Sequence, residues 1–326
     1  MTLTKKRIIF ITFFLTILYF IPLLYLPEHI VGARADNFLV FAPRLLYLAG
    51  VAAVTTVILL ILTFKRDFVN AQMFAFNRYK YFLGLLVKRD FVTRYRKSIL
   101  GVVWSVLNPI LSMLILTFVF QILFQMTIEN FPVYVIAGRV IFDFFSESTS
   151  VSMNSIIVNE GVIKKIYVPK YIFPLSKMLS SLVNMGFMLV AFIIVFVVTG
   201  SEFQWTMLLL PLPMLYLFTF SLGVAMFMAS MSVFFRDLTH LYTVLLTLWM
   251  FMTPIFYPIE IIPEWLLPYY GLNPLLHFLN IFRAMAMDGT VLGLWDHMVS
   301  IGNALAAFCF GAYVFMRQQD RYILSM

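Results

Sequence analysis

Long apolar runs recur along this chain, and its polar residues collect in the gaps between them. Eight runs stand out, near 8–26, 41–64, 100–125, 133–157, 177–199, 206–232, 239–258 and 296–316. Each approaches or reaches the roughly 20 residues that carry a helix across a bilayer core. Lipid offers backbone groups no partners, and the runs are too long for barrel strands, so the pattern predicts helices. The fourth run is the weakest, because Arg139, Asp143, Glu147 and a Ser/Thr cluster interrupt it.

Composition turns this pattern into a class. The 326 residues are 62% hydrophobic and only 12% charged, with a mean hydropathy of +0.95. Ordinary soluble domains hold about 45–50% apolar and about 25% charged residues. A soluble enzyme, a secreted disulfide scaffold and a disordered tail are excluded, and an all-α integral membrane protein is expected. The single cysteine, Cys309, lies in an apolar run and has no intrachain partner for a disulfide.

Charge then sets the orientation. The net charge of +8 could suit nucleic acid, but 19 of the 23 Lys and Arg residues fall in alternate gaps between the runs. They occupy the first residues, the stretch Lys65–Lys97, the loop Lys164–Lys177, Arg236, and Arg317 with Arg321; only Arg34, Arg44, Arg139 and Arg283 lie elsewhere. Basic residues favour the cytoplasmic side, so both termini are expected inside, with the excess charge on the membrane's inner face rather than on nucleic acid. A rival reading takes Lys5-Lys6-Arg7, the first run and Ala33-Arg34-Ala35 as a signal peptide, although that run exceeds the usual length.

Three gaps carry more than charge. In the stretch 65–97, Tyr79, Phe82, Leu83, Leu86 and Val87 have helical spacing before the basic residues take over, as in a helix lying along the inner interface. In the loop 159–169, Val162, Ile163, Ile166 and Tyr167 share one face of a short helix that Pro169 and Pro174 end. Such a two-turn amphipathic helix is a handle for a partner or a connector resting on the surface. The segment 259–295 interleaves Pro263, Pro268 and Pro274 with Trp265, Leu266, Tyr269 and Tyr270. It is too apolar for a free loop and too broken for a span, which predicts short re-entrant or interfacial helices at the outer face.

Enzyme signatures are missing. The sequence has no P-loop, no H-E-x-x-H and no Cys/His cluster at metal-ligand spacing, and its four histidines are scattered. Within the fourth run, Arg139, Asp143 and Glu147 recur every four residues on one face. Charges at membrane depth face the protein interior or a wet cavity. Two readings stay open: an internal Arg139–Asp143 pair that neutralises itself, or a face bordering a translocation path.

The run Leu86-Val87-Lys88-Arg89-Asp90-Phe91-Val92-Thr93-Arg94-Tyr95-Arg96-Lys97 through Gly101 and Trp104 resembles the entry segment of ABC-2 type permeases of the polysaccharide export family. So do Tyr167-Val168-Pro169-Lys170 with Phe173-Pro174, Phe235-Arg236-Asp237, Thr253-Pro254-Ile255-Phe256-Tyr257-Pro258, Leu272-Asn273-Pro274 and Phe282-Arg283. Each motif is common alone; their order over about 78–326 is the signal.

The resemblance implies a six-helix permease core preceded by two extra helices in 1–77. It implies an interface helix over 78–99 carrying Lys88, Arg89, Asp90, Arg94 and Tyr95. A coupling helix over about 160–168 would use Gly161, Val162, Ile163, Ile166, Tyr167 and Pro169, and outer gate helices would occupy about 259–283. It also implies a bacterial cytoplasmic membrane, a second copy of the chain, and a separate ATPase subunit in two copies. ATP and Mg would belong to that subunit, and this chain would hold no cofactor.

The implied cargo is a polyprenyl-linked glycan such as O-antigen or teichoic acid, whose sugars and anionic head cannot cross hydrocarbon unaided. Aromatic and polar candidates for the path are Trp104, Tyr134, Arg139, Phe142, Asp143, Phe145, Glu147 and Tyr257. Alternatives are an ABC-2 exporter of a small amphiphile and a membrane glycosyltransferase acting on a polyprenyl substrate.

Overall fold

The computed structural model describes residues 66–96, 100–166, 168–235 and 237–322, with residues 66–75 and 268 described by backbone alone. The first two expected spans and the possible cleavage site lie outside the described residues. Among the described residues every regular element is helical.

Helix α1 spans Arg66–Tyr95 and α2 Val103–Thr117, the latter continuing through one π-helical stretch to Leu123. Helix α3 is Phe131–Met153, followed by the single turns α4, Ser155–Val158, and α5, Glu160–Ile163. Then come α6, Ile172–Val198, α7, Pro211–Phe234, and α8, Leu238–Phe251. After these follow α9, Leu267–Tyr270, α10, Pro274–Ala286, and α11, Leu294–Gln318.

Among the described residues, four stretches are long and apolar enough to cross a membrane: Val103–Leu123, Ile172–Val198, Trp205–Phe234 and Leu294–Arg321. Helix α3 has the length, but Arg139, Asp143 and Glu147 lower its hydropathy. Helix α8 has only 14 residues and stops short of the expected 258. Pro254 and Pro258 lack the N–H groups that further helical turns would need.

The weakest apolar run in the sequence is the hub of the bundle. Helix α3 packs on α2, α6, α7, α8 and α10. Phe131, Val135, Ile136, Ala137, Phe144 and Phe145 have essentially no exposed surface. Its charges occupy one side only, so the remaining three-quarters of its circumference is free to bury apolar groups.

The broken segment also differs from a peripheral loop. Of the 13 residues of α10, ten are buried, and the helix packs against α3, α7 and α11. It starts where Asn273 accepts the Leu275 N–H at 3.1 Å, a side-chain cap followed by proline at the first position. Leu275, Leu276, Phe278, Leu279, Ile281 and Phe282 cover most of its circumference and are buried, leaving one side to His277 and the exposed Asn280. Of the two forms expected here, α10 is the inserted one, while Trp265 and Tyr269 before it remain exposed.

Helices α7 and α11 make the closest approach in the fold. A methyl group placed on Gly311 would overlap the Gly223 carbonyl, and one on Gly223 would overlap the backbone of Ala307. Glycine is needed at both positions for want of space.

A second, smaller core closes one end of the bundle. It gathers Leu83 and Leu86 of α1, Ile156 of α4, Ile163 of α5, Val168, Ile172 and Phe173 of α6, Val233 of α7, Phe315 of α11 and Tyr322. We call this the basic end, because Arg89, Arg94, Lys164, Lys170 and Lys177 lie around it.

Candidate functional site

The interface segment is one continuous helix, so the boundary expected at 77/78 falls inside α1. Its apolar side buries Leu83 and Leu86, and its polar side reaches three other elements. Asp90 pairs with Lys177 of α6 at 2.7 Å, both side chains about six-sevenths buried. Arg89 bonds the same Asp90 at 3.1 Å and reaches the Asn159 carbonyl oxygen of the side chain at 3.4 Å, just before α5. Lys88 is exposed.

Arg94 pairs with Glu147 of α3 at 2.6 Å. Glu147 also accepts from Asn184 of α6 at 2.5 Å. Tyr95 completes the group, donating to the Asn184 side-chain oxygen at 3.0 Å and sharing a hydrogen bond with Ser105 of α2. Five side chains from four helices thus satisfy one another, with Arg94 and Glu147 still partly exposed.

Glu147 therefore leaves the ladder that its spacing suggested. Arg139 and Asp143 pair within α3 at 2.7 Å, each a quarter to a third exposed. From Val135 to Ser150, the residues that are not buried are Arg139, Asp143, Ser146, Glu147 and Ser150. All five are polar. At 100° per residue they fall on one side of the helix, so this otherwise buried stretch of α3 opens along a single polar stripe.

The loop 159–169 is more divided between buried and exposed apolar residues than its spacing predicts. Asn159 separates α4 from α5 and donates to the Ser155 carbonyl at 2.7 Å, and backbone hydrogen bonding of helical pattern continues from α5 to the Ile166 N–H, which donates to the Val162 carbonyl at 3.0 Å. The apolar face is split rather than shared. Ile163 is buried in the second core and Val162 packs against it, whereas Ile166 is 54% exposed. Gly161, Lys164 and Lys165 are exposed, and Lys164 pairs with Glu160 at 2.5 Å. The Pro169 carbonyl accepts the Ile172 N–H and starts α6. Tyr167 and residues 97–99 lie outside the described residues.

At the opposite end, Arg283 of α10 holds the broken segment against α3. It donates to the carbonyls of Pro254 at 2.8 Å and of Tyr134 and Ile255 at 3.1 Å, with its guanidinium 3.4 Å from the Tyr134 ring centre. The Tyr134 hydroxyl donates to the Tyr257 carbonyl at 2.9 Å. The Tyr257 hydroxyl bonds the Phe251 carbonyl and lies 3.1 Å from the Tyr270 hydroxyl. A Cβ on Gly138 would come within 2.8 Å of Ile255, so a small residue lets this segment reach α3.

The aromatic candidates thus part company. Tyr134 and Tyr257 stitch this end together, and Trp104 is exposed near the start of α2. Phe142 and Phe145 are buried in the main core, where Phe145 meets Trp249 edge-on at 5.0 Å, so neither ring lines an open surface of this chain. Sequence reasoning assigned no site role to Arg283, Asn184 or Lys177. Arg283 and Asn184 were visible as lone polar residues in apolar stretches; their partners were not.

Residues 81–287 match the family model described as ABC-2 type transporter. The chain is 33% identical over 187 residues to the O-antigen export system permease protein RfbA of Myxococcus xanthus, covering 57% of this chain and 72% of that protein. An O-antigen export system permease protein RfbA of Klebsiella pneumoniae is 32% identical over 218 residues, 64% of this chain and 81% of that protein. The polysialic acid transport protein KpsM of Escherichia coli is 27% identical over 210 residues, with 63% and 81% covered. A helical bundle with an inserted broken segment, a basic end built on one long amphipathic helix, and these matches give one conclusion: the chain belongs to the ABC-2 type transporter family, among its polysaccharide-export permeases.

Proposed function

We propose that this chain is the membrane-spanning subunit of an exporter that carries a lipid-linked polysaccharide out across the bacterial cytoplasmic membrane. Two copies would pair with two copies of a separate ATPase, which would bind the ATP and Mg. The observation that carries the reading is the polar stripe on α3. Polar and charged side chains at membrane depth are unfavourable against lipid and belong beside a wet or polar surface. Arg139, Asp143, Ser146 and Ser150 offer donors and acceptors to sugar hydroxyls along about 16 Å of helix at the usual rise.

The relatives' export of O-antigen and polysialic acid, as their names state it, supports a glycan cargo over a small amphiphile or a glycosyl transfer reaction. The basic end would face the cytoplasm, following the charge distribution. Its exposed Gly161, Lys164, Lys165 and Ile166 would meet the ATPase. The Arg283 end would face outward.

Replacing Ser146 and Ser150 by Leu takes the two hydroxyls from the stripe and adds apolar bulk there, leaving its charges and the core groups in place. In the native host this should abolish surface polysaccharide and accumulate polyprenyl-linked glycan inside, with normal amounts of permease in the membrane. Normal surface polysaccharide in that double variant would overturn the assignment of the stripe. Unchanged surface polysaccharide after deletion of the whole chain would overturn the cargo.

A further inference from the structure

The segment following α11 is packed onto the loop between α5 and α6. Lys170 Nζ donates to the Gln319 carbonyl at 2.5 Å and lies 5.9 Å from the centre of the Tyr322 ring. Tyr322 has no exposed surface; its ring meets Phe315 edge-on at 5.5 Å and Phe234 at 6.0 Å. The Tyr322 hydroxyl donates to the Phe315 carbonyl at 3.3 Å, and Ser230 of α7 donates to the Gln318 side chain at 2.7 Å. The Gln319 carbonyl also accepts the Tyr322 N–H, so Lys170 takes its second lone pair, and the helix dipole favours a cation at this end.

The loop is held on both flanks. Before its exposed tip, Asn159 is tied to Arg89 of α1 and Ile163 is buried. After the tip, Val168 is buried in the same cluster as Phe315 and Tyr322, and Lys170 reaches over to Gln319. The tip, Lys164 to Ile166, stays exposed between them. A push on a loop anchored only to α6 is absorbed by bending of the loop. With Lys170 fastened to the end of α11, and that end fastened to α7, the same push moves three helices as a body.

We propose that Lys170 and Tyr322 are positioning residues forming a latch that transmits displacement of the docking loop into α6, α7 and α11 together. The inference rests on the reading of this loop as the surface that meets the ATPase.

The test uses the full permease–ATPase complex and the native host's surface polysaccharide. Lys170→Met removes the donor and the charge but keeps the length of the side chain. It should leave complex assembly intact and ATP hydrolysis within twofold, while lowering surface polysaccharide per ATP hydrolysed by about fivefold, the low end of ordinary coupling effects. Tyr322→Ala should do the same, and Lys170→Arg should retain coupling because it keeps the cation and its donors. A merely structural role would lower assembly and export together and would leave their ratio unchanged.

Normal coupling in Lys170→Met together with normal coupling in Tyr322→Ala overturns the latch. Ile166→Asp separates the two levels. If it abolishes ATPase association while both latch variants stay coupled, the docking reading survives and the latch fails. If Ile166→Asp leaves association and export untouched, the docking reading fails and the latch with it.

Discussion

The two ends of the bundle are tied by different chemistry. At the Arg283 end, one guanidinium binds three backbone carbonyls and covers a tyrosine ring. At the basic end the ties that hold α1 to its neighbours run from side chain to side chain: Arg94 to Glu147, Asp90 to Lys177 and Arg89 to Asn159. A backbone carbonyl cannot turn away unless its segment refolds. A lysine, arginine or glutamate rotates about several bonds and can change partner. One end is therefore fixed, and the other is built from contacts that can be exchanged, which is where ATP-driven movement would enter.

The largest effect expected is at the fixed end. Arg283→Leu removes a donor from the carbonyls of Tyr134, Pro254 and Ile255, Pro254 keeping only the Tyr134 hydroxyl at 3.3 Å, which destabilises the fold by about 3 kcal/mol. Thermal unfolding of the purified permease measures it. Arg283→Lys should restore little, because one ammonium cannot present the planar fork. Wild-type stability in Arg283→Leu would remove the contrast between the ends.

Asp90→Ala comes next. It strands Lys177 where both side chains are mostly buried, at a loss of about 2 kcal/mol. A further Lys177→Met change should recover most of this, since no unpaired charge then remains. Failure of that recovery would show that Asp90 acts chiefly through Arg89.

Glu147→Ala should cost about 1 kcal/mol, since its pair with Arg94 is a third exposed and screened accordingly. A double-mutant cycle with Arg94→Ala should give a coupling energy of similar size. Additive losses would mean that Asn184, rather than Arg94, holds Glu147.

The smallest effect on stability is expected at the local pair. Arg139→Gln should change stability by less than about 0.5 kcal/mol, as for a partly exposed pair within one helix. Surface polysaccharide should nevertheless fall, since the charge lies on the open stripe. Export at the wild-type level would reduce Arg139 and Asp143 to a self-neutralising pair.

The spans were legible because their signal is local. Val103–Leu123, Ile172–Val198, Trp205–Phe234 and Leu294–Arg321 follow the expected runs within a few residues. The hub was harder to recognise. Arg139, Asp143 and Glu147 made α3 the poorest span by hydropathy, yet every apolar residue from Val135 to Phe145 is buried. Mean hydropathy averages over the circumference of a helix, whereas packing acts on each face separately. In the loop 159–169, Ile163 and Ile166 share a helical face by spacing, but packing in the second core takes Ile163 and leaves Ile166 exposed.

The sequence by itself determined that the chain is a helical membrane protein, where most of its helices run and which family it resembles. Those properties depend on apolar length, charge content and motif order, all of which are read along the chain. Tertiary structure alone decided that Glu147 abandons Asp143's neighbour for Arg94, that Arg283 clamps three carbonyls, and that Tyr322 lies beneath the docking loop. These partners lie 53 and up to 149 residues apart, and Lys170 and Gln319 are also 149 apart. Which distant polar group lies within 3 Å is set by how helices pack and by the need to satisfy every donor that packing buries, and neither leaves a periodic trace in the sequence.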